Sequence, residues 1–397
     1  MVTEKHQGKP GEVFATFLKL GLTSFGGPIA HLGYFRAELV TRRRWLDDDA
    51  YADLVALCQF LPGPASSQVG FALGMMRAGW LGALAAFTAF TLPSAIFLVF
   101  FAMTASRLTG PVAEGLFHGL KIVAVAIVAQ AVLGMVKSLC PDRERAAIAV
   151  AAVAVLAAVP GGFGMVGAIA IGAILGLMLG RGQGAATAGP AVPVSKGVAI
   201  AALIVFFALL ILLPLIAGRG QGIAVFDAFY RAGSLVFGGG HVVLPLLQAE
   251  TVAPGWITQD QFLTGYGAAQ AVPGPLFTFA AYLGASLGPA PNGVWGALIA
   301  LVAIFLPGFL ILIGVLPFWD RFRTKPFAQS LMQGANAAVV GILGAALYSP
   351  VFTSAIADLR DFALGLFCFV LLTAWKAPPW VVVVLGALGG VLLRVSA

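Results

Sequence analysis

Residues 20–28 read Leu-Gly-Leu-Thr-Ser-Phe-Gly-Gly-Pro. Within this stretch, Phe25-Gly26-Gly27 separates the apolar segments 12–24 and 28–40, which have thirteen residues each. A helix of this length is about 20 Å long, which is shorter than the ~30 Å hydrocarbon core of a membrane. Clustered glycine and proline interrupt helices. We therefore expect a pair of short helices that form a re-entrant hairpin, with the backbone at the break shielded by protein or lining a wet cavity.

A second break of this kind follows, and both breaks return later in the chain. Pro62-Gly63-Pro64 separates the segments 49–60 and 65–77. Phe-Gly-Gly recurs at 237–239, and Pro-Gly-Pro at 273–275, which is 211 or 212 residues further on. Leu92-Pro93 also returns as Leu306-Pro307. The ordered matches predict that the chain contains one structural plan twice.

The repeat divides the chain into four regions. We expect an N-terminal transport repeat at 1–180, a linker rich in Gly, Ala and Pro at 181–195, an additional transmembrane helix at 196–221, and a C-terminal transport repeat at 222–397. Because five full spans are predicted before the second repeat, that repeat enters the membrane in the opposite orientation. Inverted repeats of this kind are typical of secondary transporters.

Composition places the whole chain in a lipid bilayer. Of its 397 residues, 60% are hydrophobic and 10% are charged, and the mean hydropathy is +0.98. Soluble domains carry about 25% charged residues. The fold class predicted is an all-α polytopic membrane protein with two inverted-topology repeats and interrupted re-entrant helical hairpins.

The basic residues predict the orientation of the chain. The N-terminus is placed inside, with full spans near 80–105, 112–137, 145–159, 162–180, 196–217, 293–317, 328–349, 361–376 and 379–394. Fifteen Lys and Arg then face the cytoplasm. Four face outwards: Arg107, Arg219, Arg360 and Arg394. This excess follows the positive-inside rule and favours a multi-pass protein of the bacterial inner membrane. The net charge of +7 lies mostly in short loops and does not indicate nucleic-acid binding.

Several classes of site are not indicated. The three cysteines have no CxxC spacing, so we predict neither a disulfide framework nor a zinc site. No catalytic, Walker or metalloprotease motif occurs, and we expect no enzyme activity, no metal and no cofactor. Asp47 and Thr258 precede segments whose first turns are acidic, which predicts helix starts.

The four breaks are the candidate anion site. Helices that begin after a break present free backbone N–H groups and a positive dipole end, which bind anions. The alternative is that these residues only kink helices or allow close packing. The candidate substrate-binding residues at the breaks are Phe25, Gly26, Gly27, Pro62, Gly63, Pro64, Phe237, Gly238, Gly239, Pro273, Gly274 and Pro275.

Two pairs of side chains at matching repeat positions extend this candidate site. Lys19 and Arg231 each lie six residues before a Phe-Gly-Gly break, where a cation needs a cavity or a partner. Alternatively, both basic side chains extend to the headgroups. Gln59 and Gln270 precede the Pro-Gly-Pro breaks and could donate hydrogen bonds to an oxyanion or satisfy freed carbonyls.

Carboxylates at matching positions are candidates for proton coupling. Glu38 and Glu250 form the symmetric pair, and Asp53 and Glu114 are additional candidates without acidic counterparts. A carboxyl in a low-dielectric setting can exchange a proton near neutral pH. Alternatively, Glu38 and Glu250 pair with basic loop residues such as Arg42. We expect His31 and His241, which follow the Phe-Gly-Gly breaks, to be hydrogen-bonded interior residues.

The residues at 20–28 and the Gln59-Phe60-Leu61-Pro62-Gly63-Pro64 segment, with their echoes, resemble the chromate ion transporter family in its long-chain, two-domain form. The resemblance covers about 12–180 and 222–393. It implies chromate efflux, powered by a proton gradient through antiport or by the membrane potential, with sulfate as a competing isostere. Short-chain members act as paired half-length proteins, and a homodimer is a further expectation. Sulfate carriage, a passive anion channel and an intramembrane enzyme stay open as alternatives.

Overall fold

The computed structural model of the chain describes residues 8–105, 107–180, 194–237, 240–319 and 325–395, and helices without strands make up these ranges. The helices are α1 (Pro10–Thr23), α2 (Gly27–Phe35), α3 (Asp48–Phe60), α4 (Ala65–Ala105), α5 (Pro111–Leu139), α6 (Arg143–Ala158), α7 (Gly162–Leu179), α8 (Lys196–Ile216), α9 (Gln221–Ser234), α10 (Val243–Thr251), α11 (Gln259–Ala269), α12 (Phe279–Ser286), α13 (Gly293–Val315), α14 (Pro326–Ala346), α15 (Leu359–Thr373) and α16 (Pro379–Val395). The predicted all-α membrane fold is confirmed.

Helices stop and restart at the breaks, as the sequence predicts. α1 ends at Thr23 and α2 begins at Gly27, where Gly26 has the positive φ of 97° that favours glycine. Pro62-Gly63-Pro64 lies between α3 and α4. In the second half, α9 ends at Ser234 and α11 ends at Ala269, shortly before the corresponding breaks. Gly238 and Gly239 lie outside the described residues.

The two Phe-Gly-Gly breaks differ in structure. Pro28 stands in the first turn of α2, where its fixed φ suits a helix start. Gly240 stands at the matching position and begins a short 3-10 turn, Gly240–Val242, before α10 starts at Val243. A Cβ atom on Gly240 would lie 3.1 Å from Cγ of Pro28, so the two matching positions also pack against each other. The Pro-to-Gly difference therefore changes how the second helix begins.

Six helical stretches among the described residues are long and apolar enough to cross a membrane: Ala65–Ala105, Pro111–Leu139, Gly162–Leu179, Lys196–Arg219, Gly293–Phe318 and Pro326–Ala355. The first breaks at Ala78 and Gly79, whose backbone angles are not helical. This break separates the predicted hairpin from the predicted span at 80–105. Three further predicted spans correspond to α6, α15 and α16, which are shorter, with 16, 15 and 17 residues.

Local capping explains several helix starts. The side chain of Asp47 accepts a hydrogen bond from the backbone N–H of Ala50 and caps α3. Thr258 and Gln261 form a reciprocal capping box at the start of α11. Each satisfies backbone donors that the first turn leaves without a partner. The helix starts predicted at Asp47 and Thr258 are thus confirmed.

Glycines allow the helices of each half to pack closely. A Cβ atom on Gly21 of α1 would lie 2.8 Å from the carbonyl oxygen of Phe90 in α4. At the matching place, a Cβ atom on Gly233 of α9 would clash with the carbonyl oxygen of Ile304 in α13. Such backbone approaches take the place of hydrophobic driving force between helices in lipid. They hold the broken helices against the long ones in both halves.

Candidate functional site

The breaks of the two halves cross and bond to each other in the protein core. The backbone N–H of Gly63 donates to the carbonyl oxygen of Val236 at 2.8 Å. At the matching position, the N–H of Gly274 donates to the carbonyl oxygen of Ser24 at 2.9 Å. Each Pro-Gly-Pro break therefore contacts the Phe-Gly-Gly break of the other half. These two hydrogen bonds bring all four breaks into one region, which we call the break crossing.

Gln68 supports the break crossing, although it is not among the site residues predicted from the sequence. Its side chain is fully buried in the first turn of α4, and its Nε2 donates to the carbonyl oxygens of Pro62 and Gly308 at 3.0 and 2.8 Å. The bond to Gly308 spans 240 residues and ties the first-half break to α13. A glutamine within an apolar helix, matched by Phe279 in the repeat, is the sequence signal for it.

The predicted residues at the breaks differ in their exposure. Pro62, Pro64 and Pro275 are buried, whereas Phe25, Gly27, Gly63, Phe237, Pro273 and Gly274 are half-buried and Gly26 is exposed. The Phe25 ring lies 6.4 Å from the Trp380 ring. Gln59 is exposed, while Gln270 is half-buried and its Nε2 is buried without a hydrogen-bond partner in the described structure. Of the two glutamines, the structure brings Gln270 closer to the interior.

The symmetric ionisable residues of the first half pair with each other. Nζ of Lys19 lies 3.2 Å from Oε2 of Glu38. The carboxylate of Glu38 also binds Arg42 at 2.9 Å and Arg43 at 2.8 Å. Glu38 lies beside the loop of Arg42 and Arg43 and outside the six long apolar helices. Burial by itself raises the pKa of Glu38, but hydrogen bonds from Arg43, Arg42 and Lys19 outweigh it, and the pKa falls to about 2. Glu38 is therefore held as a carboxylate by three cations.

The matching residues of the second half form a different arrangement. A guanidinium nitrogen of Arg231 contacts Asp227 and lies 3.5 Å from Oε2 of Glu250. Two carboxylates thus share one cation, and Asp227 is 4% exposed. The Nε of Arg231 is buried and has no hydrogen-bond partner among the described residues. The pairing of Lys19 with Glu38 recurs as Arg231 with Glu250. In the first half three cations face one carboxylate, whereas in the second half two carboxylates face one cation.

The two remaining carboxylates lie apart from these pairs. Asp53 on α3 is 9% exposed and does have a polar partner. Glu114 lies near the start of α5, where it is 3.2 Å from Nη2 of Arg394 and largely exposed. The cation beside Glu114 is therefore Arg394, which is not among the cations that bind Glu38 or Glu250.

Glu114 lines a polar cavity of about 910 Å³ between α4, α5, α11, α12, α13 and α16. We call this cavity the vestibule. Lys121, further along α5, has a side chain that is 14% exposed and binds Asp260 at 2.9 Å. His118, on the same helix, is 2.7 Å from Asp361. A lysine and a histidine within one apolar helix are the sequence signals for this region, although neither residue is among the predicted site residues.

The charged residues of the vestibule lie at one end of the molecule in the predicted topology. Arg107, Glu114, Asp260 and Arg394 line it, and all four occur at helix ends that we predict to face outwards. The volume far exceeds that of a tetrahedral oxyanion with five heavy atoms. The vestibule therefore suits an entrance or exit for a hydrated ion, whereas the break crossing offers close backbone contact.

The family comparison follows the same two halves. The family model described as chromate transporter matches residues 11–177 and, again, residues 223–391. The chain belongs to the chromate transporter family. It is therefore a multi-pass membrane protein whose relatives are transport proteins, and the resemblance at the breaks is confirmed.

Three curated relatives cover nearly the whole chain. The chromate transport protein of Pseudomonas aeruginosa is 30% identical over 95% of this chain and 90% of its own length. A probable chromate transport protein of Synechococcus elongatus is 28% identical over 95% and 93%. The chromate transport protein of Cupriavidus metallidurans is 27% identical over 94% and 90%. No solved structure matches the chain.

Proposed function

We propose that this protein is a secondary transporter that exports chromate from the cytoplasm across the bacterial inner membrane, with its N-terminus inside. The observation that carries the proposal is the break crossing, where backbone N–H groups of Gly63 and Gly274 reach the other half of the chain. Membership of the chromate transporter family and the names of the curated relatives support chromate as the substrate. Sulfate, which has the same shape and charge, is the expected competitor.

The break crossing is suited to an anion for two physical reasons. The first turn of a helix that begins at a break, as α2 and α4 do, leaves N–H groups without intrahelical partners and carries a positive dipole end. Glycine at the breaks leaves the backbone open to close approach. In secondary transporters with inverted repeats, broken helices of this kind place an anionic group near the membrane midplane. Lys19 lies near the end of α1 and, with Arg42 and Arg43, leaves positive charge around Glu38. The charge of Arg231 near the end of α9, in contrast, is outweighed by Asp227 and Glu250.

The membrane potential favours export of a dianion. A charge crossing the membrane gains about 2.3 kcal/mol per 100 mV, so two negative charges leaving a cell that is negative inside move downhill electrically. Import of the same ion would need coupling to several cations. Export can therefore run on the potential, with a proton gradient as a further energy source.

Glu250 is the better placed of the two symmetric glutamates for proton coupling. Glu250 and Asp227 together carry one more negative charge than Arg231 balances. Like charges near one another favour protonation of one of them. Glu38, in contrast, faces three cations and stays ionised.

Inside-out membrane vesicles test the substrate, the direction and the energy source together. Uptake of radiolabelled chromate is measured with an imposed membrane potential, an imposed proton gradient, both or neither, and with excess sulfate. We expect uptake that follows the potential and that exceeds uptake in vesicles without the protein. Transport of sulfate in place of chromate would disprove the named substrate while leaving a transporter.

The variants Glu250→Gln and Glu38→Gln test the coupling and separate a carrier from a channel. In a proton-coupled carrier, Glu250→Gln abolishes the extra accumulation that a proton gradient produces, whereas Glu38→Gln retains it. A passive channel would keep its flux in both variants and would accumulate nothing beyond the electrical equilibrium. If both variants respond to the proton gradient as the wild type does, Glu250 is not the coupling residue.

A further inference from the structure

Buried polar side chains of the first half lie at the Gly274 end of the break crossing. Ser24, His31, Ser66 and Thr91 are each at most 2% exposed. We call these four residues the imidazole–hydroxyl cluster. Oγ of Ser24, Nε2 of His31 and Oγ1 of Thr91 have no hydrogen-bond partner among the residues that the structure describes. Buried polar atoms normally have one, so these three atoms require an explanation.

Contacts link His31 to Ser66 and Ser24 to the break crossing, and Thr91 is the residue after Phe90 on α4. Nδ1 of His31 lies 3.4 Å from Oγ of Ser66. The His31 ring packs edge-on against the Phe90 ring, with 5.4 Å between the ring centres, and Thr91 follows Phe90 in the chain. Gly274 donates to the carbonyl oxygen of Ser24. A Cβ atom on Gly274 would lie 3.2 Å from the carbonyl oxygen of Phe90, so glycine at 274 keeps this approach open.

The matching place in the second half has the same backbone contact but no polar cluster. The repeat-related residues, 211 to 214 positions further on, are Val236, Val243, Phe277 and Phe305. All four are buried, at no more than 2% exposure, and Val236 accepts the matching hydrogen bond from Gly63. Buried apolar side chains can therefore fill these four positions in the fold. The fold does not need the imidazole or the hydroxyls of the first half.

The chemistry of the cluster selects its ligand. Hydroxyl groups and a neutral imidazole can donate hydrogen bonds, and the oxygens of a tetrahedral oxyanion only accept them. A hard metal cation would need several carboxylate or carbonyl ligands, and a transition metal would need further imidazole, thiolate or carboxylate ligands, whereas the cluster has a single imidazole and neither a carboxylate nor a thiolate. The cluster is enclosed in this structure, so an anion enters it only when the helices at the break move apart.

We propose that the imidazole–hydroxyl cluster is the site where the dehydrated oxyanion binds, so that first-half side chains hold the anion and the second half contributes the backbone N–H of Gly274 once it leaves the Ser24 carbonyl oxygen. This inference rests on the proposed oxyanion transport and specifies its binding site. It assigns substrate contact unequally to the two repeats. Around Gly63, apolar residues take the positions that match the cluster, and the Gln68 amide is already bonded to the carbonyl oxygens of Pro62 and Gly308, so this mirror site serves as the scaffold on which the first half moves.

Vesicle transport kinetics of matched variants test the cluster. Thr91→Val keeps the shape and removes one hydroxyl, and His31→Gln removes the imidazole but retains a donor. Val243→Ala changes the buried counterpart of His31 and is the matched control. For a lost hydrogen bond to a charged ligand, KM for chromate rises about tenfold or more. We expect this rise for Thr91→Val and His31→Gln, and a change of less than about twofold for Val243→Ala.

The outcomes separate the cluster from the proposed function. Wild-type KM values in Thr91→Val and His31→Gln show that the cluster encloses only water, and they overturn the inference while transport stands. If the wild type moves sulfate but not chromate, the named substrate is wrong and the same comparison of KM for sulfate decides the cluster. If the wild type moves neither anion, both proposals are refuted. Should His31→Gln fail to elute as a folded protein, Thr91→Val decides.

Discussion

Replacing Gly63 with alanine perturbs the break crossing at a single atom. Gly63 has a φ of 118°, a backbone conformation that L side chains rarely adopt. A non-glycine residue in such a sparsely populated region costs about 1–3 kcal/mol. The new Cβ atom would also lie 2.9 Å from Cα of Gly308 and 3.2 Å from Nε2 of Gln68. The first of these is backbone, which cannot rotate away as a side chain can.

The steric cost adds to the conformational cost. Overpacking of a well-packed interior costs about 1–3 kcal/mol, so we expect Gly63→Ala to destabilise the protein by about 2–6 kcal/mol in total. Gly79 is the matched control, because it has a φ of 64° and nothing lies within 4 Å of an added Cβ atom. Gly79→Ala carries the conformational penalty alone, about 1–3 kcal/mol, because a ψ of −154° with this φ lies in a region that is essentially restricted to glycine.

The measurement is the free energy of unfolding of purified protein in mixed micelles, by denaturant titration, together with chromate uptake in vesicles. We expect Gly63→Ala to unfold more easily than Gly79→Ala and to lose most transport, because the bond from Gly63 to Val236 is displaced. Gly79→Ala should retain transport. If Gly63→Ala is no less stable than Gly79→Ala and transports chromate equally well, the close crossing of the two halves at Gly63 is refuted.

Three further predictions concern side chains around the site. Glu38→Gln should lower the free energy of unfolding by about 1–2 kcal/mol, because charge-assisted hydrogen bonds to partly exposed cations are lost. Since the pKa of Glu38 falls from 4.5 to about 2 on folding, this contribution is present above pH 4.5 and lost as pH drops to about 2; a wild-type and variant difference that persists at pH 2 would contradict this. Gln68→Leu should cost about 2–4 kcal/mol in the same denaturant titration, since two buried carbonyl oxygens lose their partner, whereas an equally stable variant would show that the link from α4 to α13 is dispensable. Lys121→Met should slow chromate transport several-fold at low salt and less at high salt, because a vestibule cation attracts anions over a screened distance; an effect independent of ionic strength would exclude this role.

Local residue chemistry predicted much of the fold. Glycine and proline act on their own backbone, so the interruptions at Phe25-Gly26-Gly27 and Pro62-Gly63-Pro64 could be located from residue type alone. Asp47 and Thr258 act on nearby N–H groups in the first helical turn, and the helix starts there are confirmed. The inverted orientation of the second repeat stays a prediction.

The site was predicted less completely, because its contacts join residues far apart in the chain. Lys19 and Arg231 were identified as candidate anion ligands, but their ion pairs with Glu38 and Glu250 depend on how two broken helices fold back. The pairing of Lys121 with Asp260 joins residues 139 positions apart. No local pattern specifies such a pair.

The amino-acid sequence by itself determined the membrane class, the positions of the Gly and Pro interruptions and the family resemblance, and it predicts the repeated plan. These properties follow from hydropathy, from backbone constraints at Gly and Pro, and from the order of short motifs. Only the tertiary structure decided that each Pro-Gly-Pro break bonds to the Phe-Gly-Gly break of the other half, through Gly63 with Val236 and Gly274 with Ser24. It also decided that an imidazole and hydroxyls, three of whose atoms have no hydrogen-bond partner among the described residues, gather at the Gly274 crossing, whereas apolar residues take the matching positions at the Gly63 crossing. The physical reason is that hydrogen bonding across the core depends on the packing of helices from both halves, which no single segment encodes.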